Sequence, residues 1–207
     1  MKFLDLSTYV RPEAQGAPDH LIERAVRDSA IEFCTKTDVY LAEPEYISIA
    51  KDVNDYSISL PTGTELNRVI DIFDNQTALK PISYSALLHV LGDEDETGTP
   101  KYYSQRDNTD IYFAPIPSEA NSFRVLFSLK PSPTSTSIPD TVGREYRETI
   151  AHGAIFRLQM MSGYSFTNGQ AAMMNKQLFD RSVGRVVRQT HYGFVGGALT
   201  AKKRDFI

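Results

Sequence analysis

Four histidines, one cysteine and an acidic run are the residues of this chain whose types could do chemistry. A hydrolytic or group-transfer site needs a nucleophile within reach of a base. A zinc site needs His or Cys ligands at short, regular spacing. His20, His89, His152 and His191 are spread along the chain and no two stand at i,i+4, while Cys34 has no second thiol to pair with. GxSxG, P-loop and GxGxxG patterns are all absent from the sequence. Each histidine therefore reads as a surface or satisfied polar residue. The run Asp93, Glu94, Asp95 and Glu96 offers the hard oxygens that calcium takes, but without the spacing of a calcium loop, so a solvated loop is the simpler reading. Carboxylates can pair in space for glycoside hydrolysis, yet the chain has no tryptophan with which to floor a sugar cleft. The expectation is a protein with no catalytic residue, no cofactor and no metal, and not an enzyme.

Binding chemistry is more visible. From Lys176 onward the basic residues are Lys176, Arg181, Arg185, Arg188, Lys202, Lys203 and Arg204, against only Asp180 and Asp205. Within that stretch Gly193, Gly196 and Gly197 alternate with Tyr192, Phe194, Val195, Leu199, Phe206 and Ile207. A solvated tail has no use for so many large apolar groups, whereas a segment that orders on a partner uses them as anchors. Residues 192–207 thus read as an arm, mobile in the free subunit and ordered on docking. Tyr192, Phe194, Leu199, Lys202, Lys203, Arg204, Phe206 and Ile207 are its candidate contacts. Tyr102 and Tyr103 are neighbours in a strand, so one ring points in and one out; the outward ring serves either a partner or the flank of its own domain.

The elements that position these groups follow from periodicity. Residues 19–37 carry Leu21, Ile22, Ala25, Val26, Ser29, Ala30, Phe33 and Cys34 at three-to-four spacing, with Asp19 as a cap behind Pro18. Glu23 with Arg27 and Glu32 with Lys36 are pairs at i,i+4. After Tyr40 the period falls to two. Tyr56, Ile58 and Leu60 alternate with serines, 66–73 and 78–82 are strands about an Asp74-Asn75 turn, and 101–105 and 110–114 flank Asp107-Asn108. Phe123, Val125, Phe127 and Leu129 alternate again. This spacing predicts an antiparallel meander over about 45–130, closed as a sandwich or open barrel. Residues 83–91 fit either a short helix or an irregular crossing. After the proline-rich connector 131–140, a second helix is predicted over 141–161 and a third over 169–190, the latter turning Ala171, Met174, Leu178, Val183 and Val186 to the core.

The fold class is therefore α+β, a helical bundle with an inserted antiparallel β domain. Residues 1–40 and 131–191 form the bundle, 41–130 the β domain and 192–207 the arm. With 207 residues, 41% apolar, 23% charged and a net charge of −4, the chain is neither disordered nor built to coat nucleic acid. No run approaches the ~20 apolar residues of a membrane span, and the N-terminus lacks the apolar core of a secretory signal. The lone thiol fits a reducing cytoplasm.

Three segments carry a resemblance. APDHLIERAVRDSAIEFCTKTDVY resembles the opening helix of the tailed-bacteriophage head-to-tail adaptor (connector) family, podovirus type. GTPKYYSQRDNTDIYFAPIP is similar to that family's hairpin, and IPDTVGREYRETIAHGAIFRLQMMSG to its second helix. Together the matches span most of 17–190 and are weakest in the acidic loop and the tail. The resemblance implies a structural virion protein at the neck, assembled in the host cytoplasm. It implies a homo-oligomeric ring, a dodecamer, between the portal protein and a tail or nozzle protein, with helices toward the portal and the β domain toward the tail. Proximity to DNA in the channel goes with that position; contact with a membrane does not. The contrasting expectation is a carbohydrate-binding or glycan-hydrolysing β domain on a helical support.

Overall fold

A computed structural model describes residues 1–192 apart from 43, 76, 93–95 and 108, and apart from the side chains of 191 and 192. A 3-10 turn at Phe3–Leu6 opens the chain. It is followed by α1 (Ser7–Val10), α2 (Asp19–Thr37), β1 (Glu45–Ile49), β2 (Asp55–Ser57), β3 (Thr64–Asp74), β4 (Thr77–Ala78) and β5 (Lys80–Pro81). Next come α3 (Tyr84–Leu91), β6 (Thr97–Gly98), β7 (Tyr102–Gln105), β8 (Asp110–Ala114), β9 (Ile116–Pro117) and β10 (Asn121–Pro131). The helices α4 (Asp140–Glu145), α5 (Arg147–Gln159) and α6 (Gly169–Tyr192) complete it.

The class is α+β, with helices and mainly antiparallel sheets and no closed barrel. One sheet runs β1-β10-β3-β4 and the other β2-β8-β7-β5. They share a core: Leu66, Ile72, Phe123, Val125 and Phe127 from the first meet Tyr103, Ile111 and Phe113 from the second. The rings of Phe113 and Phe123 touch edge to face across the two layers, with centroids 5.2 Å apart. The meander is interrupted in two places. β5 pairs with β7 in parallel, and so does β6 with β9. The α3 crossover makes the first of these possible, since a parallel neighbour requires the chain to return to the same end of the sheet. Residues 78–82 are likewise not one strand. The chain leaves the first sheet at β4 and joins the second at β5, with Leu79 buried at the step and its N–H donated to the Ile72 carbonyl at 2.8 Å.

The helices have their own core. Ile22, Ala25, Val26, Ala30, Phe33 and Cys34 of α2 pack against Ile150, Ala154 and Leu158 of α5, and against Phe179, Val183 and Val186 of α6. Three expectations are corrected here. The N-terminal residues, given no element from sequence, bury Phe3, Leu6 and Val10 completely in this core. The helix predicted over 141–161 is two helices, broken at Tyr146 (φ −109°, ψ 19°), whose ring is held against Phe33 at 5.0 Å. Asp19 is not an N-cap: Pro18 occupies that position, and Asp19 is the first helical residue, where it pairs with Arg11. Between α2 and α5, Glu32 bonds to both Lys36 and Arg157. Burial raises the Glu32 pKa, but those two hydrogen bonds and charges outweigh it and hold the carboxyl below its usual value.

Asp38 helps to join the helical and β parts. Asp38 closes α2 in the left-handed region (φ 52°). Its Oδ1 accepts from Asn67 Nδ2 at 2.7 Å and Ser128 Oγ at 2.6 Å, and its Oδ2 lies 3.3 Å from Arg68 Nη1. The carboxylate so ties the helix end to β3 and β10. Asp38→Ala is expected to cost about 1–3 kcal/mol, because half-buried donors lose their acceptor. Asp38→Asn, which keeps an oxygen in place, should cost clearly less. Urea denaturation of both variants checks the order, and equal losses would contradict this account of the junction.

Candidate interaction surfaces

The described histidines do not converge. His20 and His89 are exposed on separate helices. His152 is half-buried and its Nδ1 lies 2.7 Å from Asn175 Oδ1; Asn175 Nδ2 in turn donates to Glu13 Oε2 at 2.9 Å. The relay links the N-terminal segment, α5 and α6, and reads as a structural tie between them. The Cys34 thiol is fully buried, which pushes its pKa up to about 12 and keeps it from acting as a thiolate. Among the described residues no three of His, Cys, Asp and Glu gather as metal ligands. Of the acidic run, 93–95 lie outside the described residues. Glu96 accepts a backbone bond from Ile116 N at 2.9 Å. Tyr103 is the inward ring of its pair, and Tyr102 is partly buried against Leu87, Leu91 and Ala114 under α3, so it covers its own domain's flank.

Charge is unevenly divided. Residues 41–130 carry fourteen Asp and Glu against seven Lys and Arg, while the remainder carries twelve against fifteen. The β part is thus strongly acidic, while 1–40 and 131–191 carry eleven acidic against twelve basic residues and are close to neutral. At one edge of the β part, Asp74, Leu79, Lys80, Lys101 and Tyr102 line an open cavity of about 420 Å³.

The clearest surface is α6. Its core side is made of Ala172, Asn175, Phe179, Val183 and Val186. Met174 and Leu178, expected from sequence in the core, are 65% and 38% exposed, with Met173 beside them at 51%. Farther along the same outer side Arg181, Arg185 and Arg188 are exposed, and none forms an ion pair among the described residues. The candidate arm begins where α6 ends. Its backbone at Tyr192 belongs to the helix, and Phe194, Leu199, Lys202, Lys203, Arg204, Phe206 and Ile207 lie outside the described residues.

The α+β chain thus has a helical core, a β core and a small cluster under α3, and its last helix exposes apolar and cationic side chains. The model of the SU10 adaptor protein family matches residues 1–200. The chain belongs to that family of phage head-to-tail adaptors. No curated protein matches it. No described helix is long and apolar enough to cross a membrane.

Proposed function

We propose that this chain is a non-enzymatic subunit of the virion neck, assembled in the host cytoplasm as a ring of identical copies that joins the portal to the tail. The observation that carries the reading is the adaptor-family match over residues 1–200. The helical bundle (1–40 and 131–191) faces the portal and the β domain (41–130) faces the tail or nozzle protein. A strongly acidic β part beside a bundle of nearly balanced charge supports opposite-facing partners of different charge. The ring encloses the path of the genome, so DNA passes nearby without any need for base-specific contacts.

In this reading the arm formed by 192–207 docks on the portal. Tyr192, Phe194, Leu199, Phe206 and Ile207 supply apolar anchors, and Lys202, Lys203 and Arg204 orient the approach to an acidic groove. Burying two or three such anchors contributes roughly 1.5–3 kcal/mol each, and repeated arms in one ring add through avidity. Deleting 192–207 should weaken assembly on the portal at least about tenfold, since ~1.4 kcal/mol is already a tenfold change. Co-sedimentation of the truncated chain with the portal measures it. Unchanged affinity means the arm has no part in docking.

A further inference from the structure

The open cavity of about 420 Å³ lies where the chain steps from β4 of one sheet to β5 of the other. β10 measures how far this is from the bundle. Asn121, the first residue of β10, donates from Nδ2 to Asp74 Oδ1 at the cavity, at 3.1 Å. Ser128, farther along the same strand, donates to Asp38 at the end of α2. At ~3.3 Å per residue the cavity stands about 23 Å from that junction, at the end of the β part away from α2.

Its chemistry differs from its surroundings. Residues 41–130 carry fourteen acidic against seven basic residues. Of the basic ones, Arg68 pairs with Asp38, Lys130 pairs with Glu65, and Arg106 sits over the Tyr84 ring. Lys80 and Lys101 line the cavity, are exposed, and form no ion pair among the described residues. Their backbones are neighbours, the Lys80 N–H donating to the Lys101 carbonyl at 2.9 Å. Asp74, the one acidic group described in the lining, already accepts from Asn75 and Asn121. Leu79, Pro100 and Tyr102 supply an apolar floor. The backbone has little to offer a ligand here. The N–H groups of Leu79, Lys80 and Ile82 are all bonded within the sheets, and Pro81 has none. Side chains must therefore do the holding. Two cations beside an apolar floor fit a carboxylate carried on an apolar stretch, whereas a free inorganic anion leaves the floor unused.

We propose that this cavity receives an acidic segment of the tail-side protein. Its carboxylates are held by Lys80 and Lys101, and an apolar side chain lies on Leu79, Pro100 and Tyr102. This rests on the reading above that the β domain faces the tail, and it names the site through which that contact is made. Cations left unpaired in an acidic domain, at the end away from α2, give an acidic partner its point of entry.

Hydrogen exchange on the portal–adaptor ring, with and without tails detached from the virion, tests it. Tails should protect 77–80 and 99–102. The Lys80→Glu/Lys101→Glu double variant should weaken tail attachment at least about tenfold, and Lys80→Arg/Lys101→Arg should retain it. Both are surface changes, so circular dichroism and ring formation on the portal should be unaltered. Protection elsewhere in 41–130, or normal attachment of the glutamate variant, would overturn this site and leave the tail-facing reading standing. Protection confined to the bundle, or none anywhere, would overturn that reading and this inference with it. The exchange map of the unmodified chain decides the matter even where the glutamate variant fails to fold.

Discussion

Gly153→Ala should destabilise the bundle by about 2 kcal/mol, at the middle of the range for overpacked cores. A helix-interior glycine normally makes alanine the better residue by roughly 0.5–1 kcal/mol. Here the sign reverses because three helices meet at that point. A Cβ on Gly153 would run into Ser29 Oγ of α2 and stand 2.8 Å from Phe179 Cδ2 of α6. Neither neighbour can yield cheaply. Ser29 is completely buried and its hydroxyl donates to the Ile150 carbonyl at 2.7 Å. Phe179 is 2% exposed and wedged into the bundle core. For a chain of this length the loss corresponds to a fall in Tm of about 4–8 °C. Thermal melting followed by circular dichroism reads it; an unchanged or raised Tm would show that α5 and α6 are not held as closely as described.

Phe127→Ala should cost more, about 3–5 kcal/mol, as expected when a fully buried ring leaves a cavity. β10 is the central strand of its sheet, with β1 on one side and β3 on the other. Phe127 is wholly buried on the face turned toward the second sheet, and its carbonyl accepts from Ala42 N at 3.0 Å. The strand also carries Ser128, which bonds Asp38, so damage at Phe127 sits one residue from the junction with α2. Phe127→Leu, which keeps most of the volume, should lose less than half as much. Equilibrium urea unfolding distinguishes the two, and equal effects would argue that the cavity is not the cause.

The sequence was readable wherever burial follows one simple period. α2 ends at the residues its apolar stripe predicted, and Glu23–Arg27 and Glu32–Lys36 pair as their spacing suggested. Phe123, Val125, Phe127 and Leu129 alternate into the core as read. It was less readable where tertiary contacts override propensity. Residues 3–10 form turns too short to show a helical period, and they are ordered by what they bury. On α6 Met174 and Leu178 looked like core, yet the core side includes Asn175, a polar residue. Its burial is explained only by His152 and Glu13, which are distant in the chain. The steps from Ala172 to Phe179 and Val186 were the available signal for the true buried side. Ser83, which accepts from Ala86 N at 3.2 Å and so caps α3, decides the segment that sequence left open between helix and crossing. The candidate arm contacts rest on composition alone, and all of them but Tyr192 lie outside the described residues.

The adaptor reading is tested most directly by imaging the portal co-expressed with and without this chain, by negative stain and class averaging. The account predicts an added ring on one face of the portal, absent when the chain is omitted and built of as many copies as surround the channel. A portal that stays bare at saturating concentrations of the folded chain would contradict it.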